Sequence, residues 1–240
     1  MRGSLWLMPL LGALVLAPGA AGQDAPVAFS GDVTVVSDYT FRGISQTSEE
    51  MAIQGGITAS TTGGLYLGVW GSSLNFGEPE PEGRAHAEID VVGGLDLMGL
   101  SVGFAYYGYP GTLANANYSF MEFSAGLSHD FALVSAGISA AYSPDYFAAS
   151  GTSLYLGSSF GASLPETQLS LAASLGYQRI DDNSAFGTPD YMDWSAGVSL
   201  DVWGLLLGAT LVGTDLSSDD CFGGSDLCEA RIVLAAGFSM

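Results

Sequence analysis

The sequence predicts an all-β protein, an up-and-down antiparallel transmembrane β-barrel of about twelve strands. Three observations support this fold class: apolar side chains alternate with small or polar ones, the alternating runs mostly span ten to fourteen residues, and the connections are long and short in turn. A tilted strand needs about 9 to 11 residues to cross a bilayer, whereas globular strands average about 5 or 6. The lengths therefore favour a membrane barrel over a soluble sandwich.

Residues 1–22 have the layout of a signal peptide. A positive charge at Arg2 precedes a mostly apolar stretch over residues 5–17, and small residues follow it. This stretch is too short to span a bilayer as a helix, and segments of this kind are removed on export. We therefore expect an exported mature chain, residues 23–240, that forms a single barrel domain.

Twelve runs alternate with a period of two, and each is interpreted as one strand. In the run at 167–178, for example, Leu169, Leu171 and Leu175 share one parity while serine, glycine and glutamine occupy much of the other. The runs cover residues 29–42, 51–61, 65–75, 85–97, 100–109, 119–128, 131–142, 152–162, 167–178, 190–200, 202–213 and 230–240.

The connections sort by length. Those after odd-numbered runs are long and polar, at residues 43–50, 76–84, 110–118, 143–151, 179–189 and 214–229. Those after even-numbered runs are tight, at residues 62–64, 98–99, 129–130, 163–166 and around Asp201. Barrels of the outer membrane have short periplasmic turns and longer outer loops, so both termini are predicted on the periplasmic side.

Charged side chains within the runs share the parity that should face the lumen, because lipid cannot solvate them. Seven are predicted to line the outer half of a pore: Asp38, Arg42, Glu88, Asp90, Glu122, Asp193 and Arg231. The excess of acids favours cations if water fills the lumen. The alternative is an internal ion-pair network in a closed barrel, which Arg–carboxylate pairs across the lumen would support. Aromatic residues near run ends, such as Tyr39 and Tyr142, are expected at the membrane interfaces.

Composition and motifs exclude other classes. The 240 residues include no lysine, five arginines and 25 acids, for a formal net charge of −20, so no basic face for nucleic acid exists. The sequence contains no Gly-x-Ser-x-Gly, His-Glu-x-x-His or glycine-rich phosphate loop, which predicts a non-enzyme without a cofactor. The expected partners are outer-membrane lipid and small solutes or cations. The oligomeric state stays open, including a homo-oligomer.

Cys221 and Cys228 are the only cysteines, and export to an oxidising compartment predicts that they form a disulfide. A zinc site is disfavoured because His86 and His129 are distant in sequence. The acids around the cysteines lack the spacing of an EF-hand, so a solvated acidic surface is preferred to a calcium site, and no metal is predicted.

The segment VSDYTFRGISQT, residues 36–47, resembles the opening signature of the TorF-type porins, a bacterial outer-membrane family also catalogued as Gcw_chp. Later blocks resemble that family in order, at residues 52–56, 64–72, 107–111, 142–147 and 214–216. Two features depart from it: lysine is absent, and the chain ends in Ser-Met where such barrels usually end in an aromatic residue.

The resemblance implies a single-chain barrel of the bacterial outer membrane that lets small solutes diffuse passively, and it implies no catalytic residue. Together with the acidic lumen, it predicts a porin that prefers cations. The alternative is a non-conducting structural or adhesive barrel with acidic surface loops.

Overall fold

The computed structural model describes residues 27–77, 84–164 and 166–240. Twelve antiparallel strands close into a barrel in which each strand pairs with its neighbours in sequence, and the first strand pairs with the last. The predicted fold class is confirmed. The predicted signal peptide, residues 1–22, lies outside the described residues.

The barrel strands contain 9 to 12 residues each. They are β1 (Val27–Val36), β4 (Ala52–Thr61), β5 (Leu65–Ser73), β6 (Ala87–Leu97), β7 (Leu100–Gly108), β8 (Phe120–Phe131), β9 (Val134–Ser143), β10 (Ser153–Leu164), β11 (Leu169–Ile180), β12 (Tyr191–Val202), β13 (Leu205–Thr214) and β14 (Arg231–Ser239). A separate pair, β2 (Thr40–Phe41) and β3 (Ile44–Ser45), forms a small hairpin. One short helix, α1 (Asn183–Phe186), and 3₁₀ turns at Ala114–Ala116, Phe147–Ala149 and Ser218–Asp220 lie in the connections.

The connections have the predicted alternation in length, so the barrel has a loop end with the six long connections and a turn end with the short ones. Two tight turns lie later than predicted. One falls at residues 132–133 instead of 129–130, and the other at residues 203–204 instead of Asp201. Ala132 and Trp203 take positive φ angles there, which lets the chain reverse in two residues after strands that are longer than the alternation suggested.

The two faces of the wall differ as the alternation predicts. On β6, Ile89 and Val91 point outward and are exposed, while Glu88 and Asp90 point inward and are 2% and 0% exposed. Exposed leucine, isoleucine, valine and phenylalanine cover the outer surface of the other strands as well. A closed sheet satisfies its own backbone hydrogen bonds, so such a surface suits hydrocarbon.

Among the described residues, no helix has the length and apolar character needed to cross a membrane.

The first predicted strand is wrong beyond its middle. It was expected over residues 29–42, but β1 ends at Val36 and the chain then folds back into the barrel. We call residues 37–51 the inserted hairpin. Its tip is formed by Arg42 and Gly43, with φ angles of 48° and 82°. A Cβ on Gly43 would lie 2.7 Å from the carbonyl oxygen of Gly213 on β13, so only glycine permits this close approach.

Candidate functional site

The base of the inserted hairpin is held by Asp38, which lies just after β1 and is buried. The hydroxyls of Ser45 and Thr47 donate to its carboxylate over 2.7 Å and 2.8 Å. Arg231, at the start of β14, forms an ion pair with the other oxygen at 3.1 Å and a second pair with Glu49 at 3.1 Å. Asp38 therefore ties both arms of the hairpin to the barrel wall.

The tip of the hairpin is held by Arg42, whose guanidinium reaches strands on the far side of the barrel. Its Nη2 atom lies 2.8 Å from Glu122 Oε2 on β8, and its Nη1 atom donates to Gln178 Oε1 on β11 over 2.6 Å. The guanidinium also lies over the ring of Tyr155, 4.1 Å from its centroid. Burial by itself would lower the pKa of Arg42, but the charge of Glu122 outweighs it and raises the pKa above its usual value. The hairpin thus spans the lumen and is held at its tip by one ion pair and one hydrogen bond to opposite strands.

Two neighbouring carboxyl groups lie on the inner face of β6. Glu88 Oε1 accepts a hydrogen bond from the Tyr39 hydroxyl over 2.8 Å, and the Tyr109 hydroxyl also bonds to Glu88. Burial has the largest effect on the Tyr39 and Tyr109 hydroxyls, and the charge of Glu88 the next largest. Both effects raise the pKa of each hydroxyl well above its usual range, so both hydroxyls keep their protons and donate. Asp90 hydrogen-bonds to the neighbouring carboxyl group of Glu88, and no N–H or hydroxyl group of the described residues donates to its oxygens.

Asp193 on β12 is also inward and buried, and its Oδ1 accepts from the Tyr155 hydroxyl over 3.2 Å. The Tyr107 hydroxyl donates to Glu122 over 3.2 Å. Tyrosine hydroxyls thus donate to three of the inward carboxyl groups, those of Glu88, Glu122 and Asp193.

All seven sequence-predicted pore residues lie inside the barrel near the loop end, but in separate groups. Asp38 and Arg231 form one ion pair, Arg42 and Glu122 form another, and Glu88, Asp90 and Asp193 have no cationic partner among the described residues. Arg42 reaches this position from the inserted hairpin and not from a strand, which corrects its predicted placement.

The disulfide between Cys221 and Cys228 closes a loop in the last long connection. Both cysteines are buried against Ile44 of the hairpin and Tyr191 of β12. In the same loop, the Leu227 carbonyl accepts from the Ser45 backbone amide over 2.9 Å. The disulfide loop therefore packs directly on the inserted hairpin. Within the described part of the chain, no group of three or more His, Cys, Asp or Glu side chains is placed to hold a metal ion.

Above the hairpin, at the loop end, lies a cavity of about 300 Å³ that sequence reasoning missed. Each of the six long connections contributes to its wall. We call it the aromatic cavity because ten of its lining residues are aromatic: Phe41, Phe76, Tyr109, Tyr118, Phe120, Tyr146, Phe147, Phe186, Tyr191 and Phe222. The available signal was the recurrence of phenylalanine and tyrosine in connections otherwise rich in acids and glycine.

The prediction that aromatic residues near run ends lie at the membrane interfaces was wrong for one residue. Tyr39 was expected at a membrane interface, but it is 1% exposed inside the barrel, where its ring contacts Trp70 at 5.5 Å between centroids. Tyr142 does point outward and is 47% exposed. The difference arises because Tyr39 belongs to the inserted hairpin, where strand parity no longer decides the direction of a side chain.

The chain matches, over residues 20–235, the family model described as Bacterial protein of unknown function (Gcw_chp). The TorF-type designation stays a prediction. No curated protein matches the sequence.

Among solved structures, the chain is similar to the NanC porin, with a TM-score of 0.55 and 8% identity over 89% of this chain and 99% of that one. It is also similar to Salmonella typhi OmpF in complex with daunomycin, with a TM-score of 0.47 and 10% identity over 89% and 96% of the two chains. A mutant porin of Rh. blastica gives a TM-score of 0.41 and 11% identity over 78% of this chain and 55% of that one. The chain thus spans about half the length of the Rh. blastica porin, and the likeness to the NanC porin supports the barrel fold.

Proposed function

Since this chain belongs to the Gcw_chp family of bacterial proteins and folds as a porin-like barrel, we propose that it is an outer-membrane porin that lets small solutes diffuse passively and prefers cations. One observation carries the proposal: the closed barrel directs five carboxylates but only two guanidiniums into its outer half. Fixed negative charge in a confined lumen raises the local concentration of cations and repels anions.

The outer membrane is proposed as the location for two reasons. Residues 1–22 have the layout of an export signal, and export brings the chain to the compartment from which such barrels insert. The outward face of every barrel strand carries exposed apolar side chains, which water would not favour over a bilayer. The loop end then faces the exterior and the turn end faces the periplasm.

The inserted hairpin makes the outer half the narrow part of the proposed path. Solutes would pass beside the Arg42–Glu122 bridge, and the carboxyl groups of Glu88, Asp90 and Asp193 would attract cations there. Asp193 contributes most in this scheme, because it has no cationic partner among the described residues and lies apart from Glu88 and Asp90, whose carboxyl groups hydrogen-bond to each other.

A second candidate function is a non-conducting structural or adhesive barrel. The Arg42–Glu122 and Arg231–Asp38 ion pairs favour it, because paired charges across a lumen can stiffen a closed barrel. The acidic connections at the loop end would then be the surface that meets ions or partners.

Reversal potentials in planar bilayers under a salt gradient separate these functions. A porin should conduct ions, and a porin that prefers cations should give a reversal potential with the sign expected for cation flow. Asp193→Asn should move that potential toward zero, since it removes one lumen carboxylate without changing the side-chain size. Asp130→Asn, a matched change at an exposed position near the turn end, should leave it unchanged. Anion preference would reject the cation proposal, and no conductance would favour the second candidate.

A further inference from the structure

We propose that the aromatic cavity is a binding site for small aromatic solutes that are neutral or cationic. The site lies on the outer side of the inserted hairpin, where the ring of Phe41 contributes to the wall. Binding there does not depend on whether the lumen conducts.

The size of the cavity fits a single substituted ring or two fused rings. An apolar cavity of about 150 Å³ is enough to bind benzene in a protein interior. The aromatic cavity has a volume of about 300 Å³, so one ring and a short substituent fill it.

The cavity wall is built from aromatic rings that already pack edge to face. Phe76 contacts Tyr109, Tyr118 and Phe147, with centroids 5.5 to 5.7 Å apart, and Tyr118 stacks on Phe147 at 4.5 Å. The ring of Phe186 extends this set and contacts the ring of Phe222, with the two centroids 5.8 Å apart. Because these rings come from five different connections, their edges and faces surround a guest from several directions. A further ring can join such an array with the geometry that aromatic pairs prefer.

The polar atoms of the wall are largely engaged on the side away from the cavity. The Tyr109 hydroxyl bonds to Glu88, the Tyr146 hydroxyl bonds to Arg42, and the Ser45 hydroxyl donates to Asp38. A sugar would need several free donors and acceptors to replace its water, whereas an aromatic ring needs mainly contact area. The wall therefore favours an aromatic guest over a carbohydrate.

The charge around the cavity decides which aromatic solutes can enter. Asp181, Asp182, Asp219 and Asp220 are exposed on the two connections that supply Phe186 and Phe222, and Glu88 lies behind Tyr109. The guanidinium of Arg42 lies 4.8 Å from the centroid of the Phe41 ring, but its charge is paired with Glu122, so the net field of the acids repels anions and attracts cations. A cation over a ring face gains further attraction. Aromatic carboxylates are therefore disfavoured relative to neutral and ammonium-bearing rings.

The test uses three ligands of nearly equal size: benzylammonium, benzyl alcohol and benzoate. Each is titrated by calorimetry into the folded barrel in phosphatidylcholine nanodiscs, with empty nanodiscs subtracted. We expect saturable binding of the first two, and binding of benzoate weaker by about tenfold or more. Phe147→Leu should weaken benzylammonium about five- to tenfold, because it removes a ring contact while keeping an apolar side chain.

Phe131→Leu is the matched control, because Phe131 is exposed at the opposite end of the barrel. Phe186→Leu serves as a second cavity variant, and heat-modified gel migration checks that each variant folds. The proposal is overturned if neither benzylammonium nor benzyl alcohol binds saturably, if benzoate binds equally well, or if both folded cavity variants bind like the unchanged protein. The three-ligand comparison decides the matter even if neither cavity variant folds.

Discussion

The two halves of the barrel interior are built from the same alternating pattern but are filled differently. Along β9, the inward residues near the turn end, Ser135 and Gly137, are small and partly exposed, whereas Ala141 and Ser143 near the loop end are buried. On β6, Asp96 near the turn end is partly exposed, whereas Glu88 and Asp90 are buried. The inserted hairpin accounts for the difference, since it packs only into the half next to the long connections.

This comparison shows that a barrel wall does not by itself decide whether the interior is open. In the turn half, no described segment folds against the inner face, and the small side chains there leave space. In the loop half, one segment of 15 residues, 37–51, crosses the lumen and forms ion pairs with charged groups on two strands, β8 and β14. The loop half therefore depends on a few buried polar contacts.

The largest effect is expected when the bridge at the hairpin tip is broken. Arg42→Ala leaves Glu122 buried without its cation, which should reduce the free energy of unfolding by about 3 to 5 kcal/mol. Urea unfolding in lipid vesicles measures this change. The double variant Arg42→Met/Glu122→Leu should cost less than Arg42→Ala, because no unpaired charge remains. A single variant as stable as the unchanged protein would show that the bridge does not hold the hairpin.

A smaller effect is expected when the disulfide loop that packs on the hairpin is opened. Replacing both Cys221 and Cys228 with serine should reduce the free energy of unfolding by about 2 to 3 kcal/mol, since their sequence separation of 7 closes only a short loop. Hydrogen exchange should also increase at the Ser45 amide, which bonds to the Leu227 carbonyl in that loop. Unchanged hydrogen exchange at the Ser45 amide would show that the disulfide does not stabilise the hairpin.

The smallest effect is expected when alanine replaces one of two glycines that have similar backbone angles and lie at opposite ends of the barrel. Gly43 and Gly204 have φ angles of 82° and 88°, but a Cβ would be crowded only at Gly43 and would meet nothing within 4 Å at Gly204. Gly204→Ala should cost about 1 kcal/mol from the backbone angle alone, and Gly43→Ala about 1 to 2 kcal/mol more. Equal losses in urea unfolding would mean that the hairpin tip can move away from β13.

Much of the wall could be predicted from sequence because its physical basis is local. On β6, the alternation of Glu88 and Asp90 with Ile89 and Val91 assigns both faces correctly, since successive side chains of a strand point to opposite sides. The number of alternating runs likewise indicated twelve strands, and the alternation of long and short connections indicated the two ends. These signals depend on residues that are close together in sequence.

The candidate site was only partly predictable. The shared parity of Asp38 and Arg42 placed both inside the barrel, but for a strand that ends at Val36. Nothing local indicates that the chain turns inward there, because the partners of Arg42, on β8 and β11, are 80 and 136 residues away. The aromatic cavity was missed for a similar reason, since its wall combines residues from all six long connections.

By itself, the sequence determined a closed, apolar-coated wall with acids on its inner face, because side-chain period, strand length and turn spacing are properties of neighbouring residues. Tertiary structure alone decided what occupies the interior. The bridge from Arg42 to Glu122, the packing of the disulfide loop on Ile44 and the cavity of rings above Phe41 all join segments that are distant in sequence. Such contacts form only once the barrel has closed, since closure is what brings these segments to the same end of one enclosed space.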